Sequence, residues 1–223
     1  MAINAAGDFV VVWGSLGLQD GGGGGGVFGQ RYGMVSPDCP PAPDLGCTGG
    51  FAKGLLVVKD AVAGNEKLIA KLIKGPAVAQ TGFGNPLLAS GTAYNLCIYD
   101  NAGSLAGAVE VDRAGDTNCS GGATPCWAAI GADPPAGKGY KYKDQDAAAD
   151  GVAQMTLKAG SAGGSKILVK GTGPAPPFPA GIPAALSAAS SVTVQLRGDD
   201  APSCFTITLS NIKKQETNFF KAK

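Results

Sequence analysis

Three aspartates crowd into one short run, KDQDAAADG, which holds Asp144, Asp146 and Asp150 followed by Gly151. Hard cations such as Ca²⁺ are held by several oxygens converging from one loop, so this densest carboxylate group is the first place to look for a metal. Set against an EF-hand loop, its first, third and seventh positions are Asp. The fifth is Ala148, glycine falls at the eighth, and Met155 stands where the bidentate Glu belongs. The run therefore reads as a looser Ca²⁺ loop between two strands, against the plainer reading of a solvated hairpin turn. Glu110, Asp112 and Asp116 form a second acidic group. Glycoside hydrolysis needs two carboxylates about 5 to 9.5 Å apart across a cleft, and the spacing alone does not impose that, so a polar loop is the simpler reading. Asp199 and Asp200 in RGDDAPS read as turn residues, and the RGD triplet is short enough to arise by chance.

The aromatic residues offer a different chemistry. In GYKYKD, Tyr140 and Tyr142 share one face of a strand, with Lys141 and Lys143 on the other. Trp127, next to Cys126, is their expected neighbour. An exposed face of Trp127, Tyr140 and Tyr142 would stack a sugar ring; a buried one would be core, with the lysines turned to solvent.

The chain contains no histidine. That excludes Ser-His-Asp and Cys-His nucleophiles and every imidazole-ligated metal site. Six cysteines, Cys39, Cys47, Cys97, Cys119, Cys126 and Cys204, show no CxxC spacing, which argues for disulfides in an exported protein over zinc. They allow 15 connectivities. The Pro/Gly-rich loops CPPAPDLGC and CSGGATPC favour Cys39–Cys47 and Cys119–Cys126, which leaves Cys97 and Cys204, both in strand-like runs, to pair across the core. Oxidised cysteines remove thiolate nucleophiles as well. Carboxylate pairs, Lys or Tyr bases, Ser-Lys pairs and oxygen-ligated metals remain.

Eighteen basic and 17 acidic side chains leave a net charge of +1, which makes nucleic acid an unexpected partner. No apolar stretch is long enough to span a bilayer. The opening MAINAAGDFVVVWG lacks the basic leader of a signal peptide. Set beside the cysteines, that leads to the expectation of an upstream region, with the protein secreted or held at a cell surface.

The elements that must carry these residues are short strands. Residues 8–13 and 27–32 are β-rich runs around a glycine-rich connection, a hairpin in which no Lys-Ser/Thr follows the six glycines, so a phosphate loop is excluded. From Gly7 to Tyr32 the order GDFVVVW, QDG and GQRY resembles a repeat common in large exported bacterial proteins, whose units stack to bury a face. The resemblance implies the end of a longer repeat protein, with residues 1–36 as an orphan hairpin that must dock on the main domain, pair with another chain through its exposed edge, or stay mobile. Residues 37–50 read as a Pro-rich linker. Residues 51–223 read as an all-β domain, an antiparallel, jelly-roll-like sandwich. Its strands are expected near 52–60, 66–74, 93–99, 105–111, 126–130, 138–143, 151–158, 165–170, 190–197, 203–209 and 218–222. The run 66–74 also fits a short helix, and 179–191 has room for a helical turn.

The blocks KGLLVVKDAVAGNEKLIAKLIKG, YNLCIYD, GYKYKDQDAAADGVAQMTLKAG, KILVKGTG, VTVQLRGDD and FFKAK resemble, in that order, a C-terminal domain of exported proteins from myxobacteria-like and environmental bacteria. The family has no assigned activity, so the resemblance implies an exported, modular, all-β setting and no catalytic residues. The leading expectation is a non-catalytic binding or adhesion module whose partner is a polysaccharide or cell-surface matrix. One competing expectation is a histidine-free hydrolase of esters, phosphoesters or glycosides, from environmental DNA, using an oxygen-ligated metal. The other is self-assembly into homo-oligomers through residues 1–36.

Overall fold

The computed structural model describes residues 39–60, 66–119, 124–172, 180–199 and 203–223, together with the backbone of three strands nearer the N-terminus. The turn joining the two hairpin strands, the side chains of residues 1–38, the proline run 174–179 and Asp200 lie outside the described residues. The chain divides into two compact units, residues 1–37 and 38–223. In the first, β1 (Ala2–Ile3), β2 (Phe9–Leu16) and β3 (Gly25–Tyr32) form one antiparallel sheet in that order. The strands β2 and β3 pair from Phe9 opposite Tyr32 to Leu16 opposite Gly25, the hairpin expected from the two β-rich runs.

The second unit is a sandwich of two antiparallel sheets. Its strands are β4 (Lys53–Lys59), β5 (Lys67–Gly75), β6 (Tyr94–Tyr99), β7 (Leu105–Val111), β8 (Trp127–Ala129) and β9 (Gly139–Lys143). There follow β10 (Val152–Lys158), β11 (Ser165–Thr172), β12 (Val192–Gly198), β13 (Cys204–Leu209), β14 (Ile212–Glu216) and β15 (Phe219–Ala222). Eight strands make the larger sheet in the order β14-β15-β4-β5-β11-β10-β9-β8, and four make the smaller, β13-β12-β6-β7. The ambiguous run at 66–74 is a strand: Leu68, Ala70 and Leu72 alternate inward between paired neighbours on both sides, which a lone nine-residue helix could not match. A short helix, α1 (Ile182–Ala185), sits between β11 and β12.

The core lies between the sheets. Leu56, Leu68, Leu72, Met155 and Phe220 of the larger sheet and Leu96, Ile98 and Leu196 of the smaller are at most 1 % exposed. Gly54 marks how closely the sheets approach, because a Cβ there would lie 2.5 Å from Leu209 Cδ2.

All six residues of β6 are buried, which requires cover on both faces. The second cover comes from the segment read as a linker. From Cys39 onward it crosses the outer face of the smaller sheet as a strap. The Cys39–Cys97 disulfide ties it to β6, and the Tyr99 hydroxyl donates to the Pro40 carbonyl. Gln195 of β12 accepts from the Asp44 amide and donates to the Asp44 carbonyl. Thr48 exchanges backbone bonds with Cys204 and Thr206. Residues 39–50 thus belong to the sandwich and are no linker.

The same strap corrects the cysteine pairing. The bonds are Cys39–Cys97, Cys47–Cys204 and Cys119–Cys126. Only the last closes the local loop expected; Cys39 and Cys47 lie at opposite ends of a strap stretched over the sheet, so each meets a different strand.

Candidate functional site

Asp144 follows the last residue of β9, and the turn it opens leads into β10. Its carboxylate is fully buried and heavily bonded. The Asp146 amide donates to Oδ1 at 3.1 Å, and the Ala148 amide to Oδ2 at 3.0 Å. The Tyr142 hydroxyl and Arg113 Nη1 both reach Oδ2, at 3.2 and 3.1 Å. Asp150 closes the turn with φ 43° and accepts from the Glu110 amide of β7 at 2.9 Å. Asp146 is exposed. The three carboxylates therefore do not converge on one point as a Ca²⁺ loop requires. A buried carboxylate that accepts two amides, a hydroxyl and a guanidinium has its lone pairs taken. The loop reading gives way to a structural turn.

The second acidic group joins the same network. Arg113, just beyond β7, donates through Nε to Asp116 Oδ2 at 2.7 Å, and its Nη2 lies 2.6 Å from the same oxygen. The Asn118 amide and then Arg113 hold the Asp116 carboxyl below its ordinary range. Burial works against the Arg113 charge, but the bond to Asp116 prevails and keeps it firmly protonated. Burial, helped by the Asp144 charge, pushes the Tyr142 hydroxyl far above its ordinary range, so it is no base near neutrality.

Trp127, Tyr140 and Tyr142 come together, but inside. Trp127 packs against Tyr142 at 5.1 Å between ring centroids and against Tyr94 at 5.3 Å. Trp127 is 4 % exposed and Tyr140 and Tyr142 no more than 1 %, so none offers a face on which a sugar could stack. Their strands sit at one end of the larger sheet, where the inward face must meet β6, and large rings fill that gap.

Among the described residues, one further set of ligand-type atoms clusters: Asp44, Cys47 and Cys204, within 4.8 Å of one another. The two sulfurs are joined to each other. The Asp44 carboxylate is bound by Arg197 Nη1 at 2.9 Å, and that contact, before the Gly46 amide, lowers its pKa. The chemistry is that of a clasp holding the strap to β12 and β13.

The larger sheet turns its other face outward, and its side chains went unremarked in the sequence beyond Lys141 and Lys143. Along β5, Lys67, Ile69, Lys71 and Ile73 alternate with the buried positions, and along β11 Lys166, Leu168 and Lys170 share that outward face. The signal was present as lysines four apart, Lys67 and Lys71 in KLIAKLIKG and Lys166 and Lys170 in SKILVK, but it belonged to no familiar motif. Comparison with protein-family models finds no match, and comparisons with curated proteins and with solved structures find none either.

Proposed function

We propose that the sandwich is a non-catalytic binding module of an exported bacterial protein. The observation that supports this most is the fate of the groups able to do chemistry. Asp144, Asp116 and Asp150 are bound to amides and to Arg113, and Tyr142 is buried with a raised pKa. A chain without histidine then has its broad surfaces left to act with. Three disulfides are compatible with an extracellular setting, and among the described residues no helix is long and apolar enough to cross a membrane. The reading also builds on the resemblance of the sequence blocks to C-terminal domains of exported bacterial proteins.

The test is a paired assay on the full chain. Retention on insoluble polysaccharides or bacterial cell-surface material, with no turnover on ester, phosphoester or glycoside substrates, is the expected result. Chelator-sensitive turnover would overturn the reading in favour of a hydrolase. Self-association without retention would favour assembly.

A further inference from the structure

We infer that the open face of the eight-stranded sheet docks an acidic polysaccharide, a polymer carrying carboxylates on successive sugars; this rests on the binding-module reading and narrows it. The two outer faces of the sandwich are treated differently. The smaller sheet has its face covered by the disulfide-bonded strap, whereas the outward residues of the larger sheet are exposed or half-exposed almost throughout. Every strand of the larger sheet except β8 carries an outward lysine, and together these are more than half of the chain's 18 basic residues. Carboxylates are almost absent from these strands. The exception is Glu216 on the edge strand β14, paired with Lys214 at 3.2 Å.

The lysines are also placed at a cost. Lys59 stands directly opposite Lys67, Lys158 opposite Lys166, and Lys214 opposite Lys221. Like charges in directly opposed positions destabilise a sheet, so the arrangement does nothing for the fold. It is relieved when negative charge arrives from outside. Leu168, with Lys71 opposite and Lys166 and Lys170 on either side along its strand, is 7 % exposed. That low exposure on an outward face is what lysine stems laid across it, with their ammonium groups at the surface, would produce. Eight strands about 4.8 Å apart give a face roughly 34 Å wide, enough for several charged sugars in register. The net charge of +1 conceals this, because the acidic groups of the Arg113 network and the Asp44 clasp lie in loops and the strap.

The chemistry of the face selects among polyanions. Single-stranded nucleic acid is held on exposed aromatic platforms, and here Phe219 alone is outward, half-buried with Lys214 4.7 Å from its ring centre. A broad sheet face does not enter a DNA groove, and lysine lacks the fork with which arginine grips phosphate. An anionic lipid surface calls for apolar residues that insert. The exposed large hydrophobics among the described residues are Leu45 and Leu88, neither of them on this sheet. Point charges on a flat, non-aromatic surface suit a carboxylated glycan.

The experiment measures retention of the full chain on polygalacturonate, with cellulose, single- and double-stranded DNA and anionic phospholipid vesicles alongside. Binding to polygalacturonate should weaken roughly tenfold or more as salt rises past about 0.15 M, where the Debye length has shrunk to about 8 Å. The triple variant Lys71→Glu/Lys141→Glu/Lys170→Glu should lose at least about tenfold, while Lys→Arg at the same positions keeps binding. A Lys→Gln set serves if the Glu variant fails to fold, as judged by its melting transition. Stronger retention on DNA or vesicles, or polygalacturonate binding untouched by the triple change, overturns the proposal. Salt-insensitive retention on cellulose that survives the triple change removes the lysine face but leaves the binding module standing. Turnover of any glycan removes the module itself.

Discussion

At the scale of single residues, the aspartates that looked most chemical turn out to hold loops, and two substitutions distinguish that role. Asp144→Ala leaves Arg113 beside an emptied, buried site and strips two amides and a hydroxyl of their acceptor. Arg113 keeps its bond to Asp116, so the cost comes from the two amides and the hydroxyl left without their acceptor, about 1–3 kcal/mol for each buried group, and the urea midpoint should fall accordingly. Asp150 behaves in the opposite sense. Burial raises its carboxyl above the ordinary value of 3.8, against the pull of the Glu110 amide and with help from Asp112. The folded chain therefore holds that proton more tightly than the unfolded one. The contribution of Asp150 to stability declines as pH rises from the ordinary aspartate range through the raised folded value, and stays reduced at neutrality. Asn keeps an acceptor for the Glu110 amide and tolerates φ 43° well. Asp150→Asn should thus match or exceed the native chain in urea stability at pH 7, with the difference closing as pH drops below the ordinary aspartate range. Asp44 and Asp116, whose values are lowered, set the contrary trend: their contribution is full above that range and is lost as pH falls through their lowered values. A native-like carboxylate function at Asp150 would instead show as lost ligand retention in Asp150→Asn at unchanged stability.

At the scale of elements, the strands of the sandwich were legible because inward Leu, Val, Ile and Tyr alternate with outward polar residues, and because Gly and Pro punctuate the runs. β14 was not. Its IKKQE has a single β-branched residue, Ile212, followed by four polar ones with no alternation, and it pairs along the edge that β15 offers, Ile212 opposite Ala222 and Glu216 opposite Phe219. The aromatic pair of β9 had the right strand and the right shared face. Alternation says that two rings share a side, and only the opposing sheet decides that the side is interior. Gly139, which opens β9, has φ 119°, and a Cβ there would lie 1.8 Å from the Leu157 carbonyl oxygen of β10. Strained backbone and a backbone clash act together, so Gly139→Ala should cost at least about 3 kcal/mol. Amide exchange should show the loss first between β9 and β10. An unaltered melting transition in that variant would mean the two strands are not held at this register.

At the scale of the whole molecule, the sandwich is unequal: one sheet is strapped and doubly covered, the other broad and open. Neither fact could be read along the chain. Lysines that share the open face come from strands far apart in sequence, so their segregation vanishes in a near-zero net charge. The strap's cysteines, eight residues apart, looked like the ends of one loop until the sheet beneath them supplied separate partners. That topology makes the three disulfides unequal as well. Cys47–Cys204 spans 157 residues and Cys39–Cys97 spans 58, while Cys119–Cys126 spans 7. In the chain-entropy account their loop closures are worth about 5, 4 and 2 kcal/mol respectively. Paired Cys→Ala variants compared by urea unfolding should rank in that order, and native protein should titrate no free thiol, since all six cysteines are bonded. Removing Cys39–Cys97 also uncovers Tyr99 and the outer face of β6, so that pair should additionally admit solvent there, seen as faster amide exchange in β6 and β12. If Cys119→Ala/Cys126→Ala proved the most damaging pair, the strap would not be what holds the smaller sheet together.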